Sequence, residues 1–416
     1  MSRTLRLDAD GVLRTPDQTL LPFEHREIAL QGAEDCRRAI VAMQVRGAPL
    51  IGAVGAWGLA LALRDDPSDA NLEESERALL AARPTAVNLR WALDRVRRRV
   101  SRLPLSLRAE AAREEAAALC DEDAQCNRRI GEHAALMLEA LLTSRRSGVL
   151  NVLTHCNAGR IATLEFGTAL APLYLLHERG VPLHVWVDET RPRNQGASLT
   201  AWELAARGMP HTVVVDNAGG LLMRQGRVDA VLVGCDRVAA NGDVANKIGT
   251  YLKALAARDN DVPFWVACPV STIDPLARDG EAIPIEERDP REVTHMVGRL
   301  ADGAIGAVQV VPDGSPVANP AFDVTPARLV SALVTEHGVF EASTEGVGRA
   351  LACANGAPPP VLAEDAAHPP RRAEEGAAHP PRGTNKEAEQ GAGVAARGAD
   401  EATRGEAGRV AEKSRQ

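Results

Sequence analysis

Hydrophobic and polar positions follow two different rhythms along the chain, and the change falls near residue 148. Before it, apolar side chains recur every three or four residues over 34–43, 50–63, 71–82, 89–100 and 105–142. That spacing predicts amphipathic or buried helices, the last being one long or once-broken stretch. A short strand-and-turn segment precedes them, with apolar runs at 5–7 and 12–13 and Pro22 closing it. Beyond residue 148, short apolar runs alternate with helical spacing. Strands are expected at 149–154, 183–187, 212–215, 230–233 and 263–267. Helices are expected at 164–179, 199–206, 221–224 and 248–257, with further helical pieces at 289–300 and 325–337. Such alternation predicts an α/β region with a parallel sheet covered by helices on both faces. The domain reading is therefore a mostly helical N-terminal domain at 1–145 and an α/β domain at 146–350.

The uncharged run at 47–63 contains Gly52, Gly55 and Gly58 at three-residue intervals. The spacing does not fit the GxGxxG loop of dinucleotide sites. It predicts instead a smooth helix face for close packing. At seventeen residues the run is shorter than the about 20 needed to cross a bilayer. No membrane partner is expected.

Composition adjusts this picture at three points. Residues 356–416 turn to Ala, Glu, Arg, Gly and Pro, and Ala-Ala-His-Pro-Pro-Arg occurs at both 366–371 and 377–382. Such a segment buries too little apolar surface to offset its chain entropy and is expected to be disordered. The net charge of -8 carries none of the basic footprint of a nucleic-acid partner. The seven cysteines lack zinc spacing, so no metal is expected; scattered thiols and the polar start MSRTLRLDAD suit a reducing cytoplasm. Lysine is scarce, at 247, 253, 386 and 413 only, which singles out Lys247 as a place where a compact ammonium is required.

Candidate chemistry gathers just after the expected strands: Cys156, the loop 188–196, Asp216-Asn217 and Asp236. Ligands of open α/β sheets bind beyond the carboxyl ends of the strands, so these loops are expected to converge on one cleft. Asp236 follows an apolar strand, and poor solvation there raises a carboxyl pKa and fits it to donate a proton. A helix cap or an ion pair with Arg237 is the structural alternative. Cys156 precedes Asn-Ala-Gly with Arg160 close by, a setting that lowers a thiol pKa. Lys247 is expected at the start of a helix, where phosphate binds through free N–H groups and the helix dipole. Gln195 and Asn246 are expected to hold substrate hydroxyls and phosphate, and Arg46 to contact an anion. Glu189 and Arg191 are expected to form a structural pair. No cofactor fingerprint accompanies any strand.

Several ordered motifs carry a resemblance. They include Val45-Arg46-Gly47-Ala48-Pro49, Arg83-Pro84-Thr85-Ala86-Val87-Asn88, Thr154-His155-Cys156-Asn157-Ala158-Gly159, Asp188-Glu189-Thr190-Arg191-Pro192 and Gln195-Gly196-Ala197. They continue through Gly234 to Tyr251, Ser271-Thr272-Ile273-Asp274, Ile283-Pro284-Ile285-Glu286-Glu287-Arg288 and Asn319-Pro320-Ala321-Phe322-Asp323. From about residue 10 to 345 the chain resembles the methylthioribose-1-phosphate isomerases. Their superfamily also holds regulatory subunits of a translation-initiation exchange factor and archaeal ribose-1,5-bisphosphate isomerases. The resemblance implies a Rossmann-like C-terminal domain under a helical N-terminal one, a homodimer, and no cofactor. It implies the aldose–ketose isomerisation of 5-methylthioribose 1-phosphate in methionine salvage. Carried over by motif, Asp236 is the proton donor and Cys156 the second catalytic group. Arg46, Gly47, Ala48, Arg83, Gln195, Asn246 and Lys247 are the substrate contacts. The family usually has alanine where Cys235 stands, and often differs within Asp216-Asn217-Ala218-Gly219. The wall around the 5-substituent is expected near Leu50 and Trp202.

Overall fold

The computed structural model describes residues 3–84, 86–143 and 148–358. Most of the segment expected to be disordered, 359–416, and Thr85 of the Arg83 motif lie outside the described residues. Three short strands open the chain: β1 (Arg6–Leu7), β2 (Leu13–Pro16) and β3 (Glu27–Leu30), paired antiparallel. Five helices follow: α1 (Ala33–Val41), α2 (Ala48–Asp65), α3 (Asp69–Ala82), α4 (Val87–Val100) and α5 (Leu105–Thr143).

Helix α2 is the axis of this half. Every residue from Leu50 through Leu63 is buried, as expected of a helix that is apolar all round. The three glycines do what their spacing predicts. A Cβ on Gly52 would come within 2.9 Å of the Asn88 carbonyl oxygen, and one on Gly55 within 2.3 Å of Leu89 Cδ1. One on Gly58 would crowd Cys36 and Leu79. So α4 and α1 lie directly on the α2 backbone. Helix α5 is unbroken, about 58 Å long at 1.5 Å per residue. Its first half, through Cys120, packs into the α2 core, and Ile130 to Leu141 pack into the core of the α/β half.

The α/β half is built on β4 (Leu150–Thr154), α6 (Ala171–Glu178), β5 (Leu183–Asp188), α7 (Ala201–Ala206), β6 (His211–Val214), α8 (Ala218–Arg224) and β7 (Ala230–Val233). A hairpin of β8 (Arg237–Ala239) and β9 (Val244–Lys247) comes next, then α9 (Thr250–Asp259), β10 (Phe264–Ala267) and β11 (Ile273–Asp274). The chain continues through α10 (Arg291–Thr294), β12 (His295–Arg299), β13 (Ile305–Gln309), β14 (Phe322–Thr325), β15 (Ala332–Thr335), β16 (Gly338–Phe340) and α11 (Thr344–Ala354). Seven strands form one sheet in the order β16-β15-β10-β7-β4-β5-β6, parallel except for β16. From β4 the chain winds outward through β5 and β6, then returns to β7 on the other side. That reversal, between β4 and β7, is a topological switch point and opens a crevice at the strands' carboxyl ends.

Four expectations need correction. Lys247 ends a strand and does not begin a helix. Residues 237–247 fold as a hairpin over Gly242, which has φ +89°, and β14 pairs with the far edge of β9. The helix starts only at Thr250, after Gly249 at φ +102°. Residues 164–170 are not helical, because Phe166 and Gly167 turn left-handed and Gly167 bridges back to Gly159. The stretch 289–300 yields one turn of helix and then the β12–β13 hairpin. Residues 332–335, expected as helix, add strand β15 to the main sheet because a short apolar run buried on both faces reads alike in either state.

Gly55→Val places a Cβ and two methyl groups against Leu89. Overpacking of this kind costs about 1–3 kcal/mol. A urea-unfolding midpoint equal to that of the unchanged protein would contradict this account of the α2–α4 contact.

Candidate active site

The switch-point crevice is a cleft of about 1180 Å³, counting its open mouth. Its floor comes from the carboxyl ends of β4, β5, β7 and β10, and one wall from the start of α2. Cys156 and Asp236, Arg46, Gly47 and Ala48, Arg83 and Gln195, and Asn246 and Lys247 all line it. The structure thus brings every residue expected to react with or contact substrate to one cavity.

The α1–α2 link enters first. Gly47 stands at φ +96°, and a Cβ there would lie 2.2 Å from the Ala162 carbonyl oxygen, so only glycine fits. No side chain caps the start of α2, which leaves the positive end of an 18-residue helix facing the cleft. Arg46 is buried and donates from Nη1 to Asn157 Oδ1 at 2.8 Å and from Nη2 to the Asn157 carbonyl at 2.6 Å. Asn157 in turn donates to the buried Glu203 at 2.9 Å, whose carboxyl is held above its ordinary range by burial.

Asp236 lies three residues past β7, and its N–H donates to the Ala245 carbonyl at 3.0 Å, joining strand tip to hairpin. Burial raises its carboxyl pKa; Lys247, Arg288, Arg46 and Arg83 pull the other way and do not cancel the rise. Arg237, the structural alternative as a partner, pairs with Asp274 at 3.4 Å. Lys247 is buried, donates to the Ala321 carbonyl at 2.8 Å and sits 4.8 Å from the Phe322 ring centroid. Burial, with help from nearby Arg288, brings its pKa down to about 8. Asn246 donates to Thr250 Oγ1 at 3.1 Å. Gln195 is 3% exposed, and its Oε1 has no partner within the protein.

Cys156 takes φ +64°, a left-handed conformation that costs a non-glycine residue about 1–2 kcal/mol. Thr190 and Asn194 in the facing loop are also left-handed, at φ +66° and +56°. Strain gathered in this way is typical of functional sites.

Two features were not drawn from the residues beforehand. Arg288 enters the cleft beside Arg83, and both guanidinium groups lean on Glu286, at 3.3 and 3.4 Å. No strand precedes Arg288, so the rule that finds polar residues past strand ends misses it. The second feature is a buried network. His155 contacts Asp188 Oδ2 at 3.0 Å through Nδ1 and the Ile248 carbonyl at 2.8 Å through Nε2. Lys253 Nζ lies 3.1 Å from the same Asp188 oxygen and donates to the Asp216 carbonyl. His155, Asp188 and Asp216 offer ligand atoms within 4.8 Å of one another. Asp188 Oδ2 is engaged as above and the Asp216 oxygens accept from the Thr190 and Arg191 N–H groups at 2.7 Å, while Asp188 Oδ1 is buried without a partner. An ammonium supplies the positive charge there.

Two smaller expectations also change. Arg191 bonds to the Pro192 and Val293 carbonyls, with no pairing to Glu189 among the described contacts. Leu50 and Trp202 are absent from the described lining; Trp202 stacks on His25 at 5.8 Å. The apolar wall comes from Met43, Ile51, Val87, Ile283, Ile285 and Phe322. Among the described residues no helix is long and apolar enough to cross a membrane.

Chemically, the lining joins Arg46, Arg83, Arg237, Lys247 and Arg288 to a single acid, Asp236. An uncapped helix start adds to the positive field. The cleft therefore attracts a compact anion, and beside it stand a carboxyl biased towards its neutral form and a thiol.

Residues 44–342 match the model of the initiation factor 2 subunit family. A methylthioribose-1-phosphate isomerase of Methylorubrum extorquens is 58% identical over 347 residues, covering 83% of this chain and 95% of that protein. The enzyme of the same name from Acidiphilium cryptum is 60% identical over 338 residues, covering 81% and 92%. Among solved structures, the 5-methylthioribose 1-phosphate isomerase of Pyrococcus horikoshii aligns with a TM-score of 0.74 at 38% identity, over 85% of this chain and 96% of that one. The delta subunit of translation initiation factor eIF-2B from A. fulgidus aligns at 0.70 and 37%, over 85% and 100%.

The Lys247 ammonium is charged below a pH of about 8 and loses its proton above it. Affinity for inorganic phosphate, measured by calorimetry, is expected to fall as pH rises through that value. Lys247→Gln is expected to weaken binding and flatten the fall; an unchanged pH profile would remove Lys247 from the anion site.

Proposed function

We propose, from the premise that this chain belongs to the initiation factor 2 subunit family and is akin over most of its length to methylthioribose-1-phosphate isomerases, that it converts 5-methylthioribose 1-phosphate into 5-methylthioribulose 1-phosphate. The reaction is an aldose–ketose isomerisation, a step of methionine salvage. The observation that carries the reading is the placing of Asp236 and Cys156 in one cleft whose other charged side chains are all cationic.

The substrate is a glycosyl phosphate, so its ring does not open as a free sugar's does. An acid must first protonate the ring oxygen. Asp236 is the group for this, because burial favours its protonated form. Once the ring C–O bond breaks, positive charge sits at C1. The hydrogen on C2 then moves to C1, the C2 hydroxyl loses its proton to the Asp236 carboxylate, and C2 becomes the ketone. The enzyme ends as it began. Cys156 serves the transfer either as the base that carries a proton from C2 to C1 through an enediol, or as the group that steadies charge while hydride migrates. Solvent deuterium appearing at C1 marks the first route, and its absence the second. Arg46, Arg83, Lys247 and the start of α2, with Gly47 and Ala48, hold the phosphate; Gln195 and Asn246 hold hydroxyls.

The protein acts in the cytoplasm as a homodimer on this reading. Support for the dimer comes from α8 and α9, which pack against each other and leave Leu221 and Leu252 each more than half exposed. A second reading is a non-catalytic regulatory subunit. The likeness to the A. fulgidus initiation factor subunit favours it, and the presence of both Asp236 and Cys156 weighs against it.

Purified protein without added metal or nucleotide should convert 5-methylthioribose 1-phosphate, followed by phosphorus NMR, much faster than ribose 1,5-bisphosphate or 5-deoxyribose 1-phosphate. Asp236→Asn and Cys156→Ser should each lose turnover by about 100-fold or more while still binding substrate. In the parent protein kcat should fall as pH rises through the raised pKa of Asp236, since only the protonated carboxyl donates. No conversion of any of the three by folded protein favours the regulatory reading. For the dimer, sedimentation of Leu221→Asp is expected to show monomer.

A further inference from the structure

Cys156 has to be held against its own backbone preference, and the structure shows what holds it. Its N–H donates to Thr190 Oγ1 at 2.8 Å, and its carbonyl accepts from Thr200 Oγ1 at 2.7 Å. Both threonines are fully buried. The Thr190 hydroxyl spends its own proton on the Asp188 carbonyl at 3.0 Å, so the Cys156 N–H meets a lone pair and nothing else. Thr190 is itself anchored through its N–H to Asp216 Oδ1 at 2.7 Å and through its carbonyl to the Asn194 N–H at 2.8 Å. It does this at φ +66°, a conformation β-branched residues avoid. Thr200 is steadied by Asn157 Nδ2 at 3.1 Å, the same Asn157 that receives Arg46. Two loops, from the ends of β4 and β5, are thus stitched together at one residue.

We propose that Thr190 is a positioning residue for Cys156, with Thr200 as its counterpart on the carbonyl side. The Thr190 hydroxyl locks the Cys156 backbone in its left-handed turn and so fixes where Sγ stands in the cleft. Thr190 is not among the residues that line the cleft. This inference rests on the isomerase reading for its kinetic consequence but not for its chemical one. If Sγ is held in place by the clamp, freeing the Cys156 N–H lets the thiol wander, and a displacement of about 1 Å costs up to about 100-fold in rate. Substrate binding, which depends on groups elsewhere in the cleft, is left largely intact.

The test compares Thr190→Val, which keeps the shape and removes the hydroxyl, with Thr190→Ser, which keeps the hydroxyl. Two measurements are made on each: steady-state isomerisation, and the rate at which iodoacetamide alkylates Cys156, followed by peptide mass spectrometry. Thr190→Val is expected to lower kcat by about 10- to 100-fold with little change in KM, and to speed alkylation of Cys156. Thr190→Ser is expected to restore both. A purely structural role would lower the melting temperature without separating kcat from KM and without rescue by serine. Equal kcat in Thr190→Val and the parent overturns the proposal, as does a matching loss in Thr190→Val and Thr190→Ser. Should Thr190→Val not accumulate as folded protein, Thr200→Val tests the same clamp from the carbonyl side with the same two readouts. If the parent itself shows no isomerisation, the isomerase reading fails, and the alkylation rates still decide whether the hydroxyl holds Cys156.

Discussion

The structure turns on withholding water from one carboxyl and one ammonium that face the same cleft. Asp236 is pushed towards its neutral acid, and Lys247 towards its neutral amine, by the same loss of solvation. In water the two would sit charged and apart from any task. Here they are fixed by backbone. Asp236 follows β7 by three residues, Lys247 ends β9, and the β8–β9 hairpin between them is closed on its outer edge by β14. Because neither side chain chooses its own position, the surrounding arginines can tune them without collapsing the cleft into a salt bridge. A buried charge without such control costs several kcal/mol.

The site is also shared between two cores. Helix α2, whose start supplies Arg46, Gly47 and Ala48, belongs to the helical half. Cys156, Gln195, Asp236 and Lys247 belong to the sheet. Arg46 reaches across to Asn157, and α5 runs through the apolar cores of both halves. The close backbone contacts at Gly52, Gly55 and Gly58 matter for this reason: they set how far the α2 start projects. Packing energy in the helical half is thereby converted into placement of the cleft's cationic wall.

Much of this was legible in the chain itself. The run Ala230–Val233 is apolar because it is buried on both faces of a parallel sheet, and the polar residue that ends such a run is pointed at the crevice by topology. Cys156 and Gln195 could be found on the same argument. Lys247 could be found as a residue but not as an element. Asn241-Gly242-Asp243 looks like any loop before a helix, and the strand that makes Val244–Lys247 extended lies more than seventy residues further on. Arg288 and the His155–Asp188–Lys253 network escaped for a related reason. Their meaning lies in partners distant in sequence, and no local periodicity encodes which buried polar group meets which. The left-handed turn at Cys156 is equally silent, since no glycine marks it.

The only two lysines among the described residues are Lys247 and Lys253, and both are nearly inaccessible, at 4% and 3% exposure. A protein so arranged offers amine-directed chemistry and lysine-specific proteases no surface target anywhere in those residues. Acylation or cleavage at either position requires the surrounding structure to open. The scarcity of lysine, a compositional accident over most of the chain, thus makes these two side chains native reporters of local opening, Lys247 at the cleft and Lys253 in the buried network beside His155.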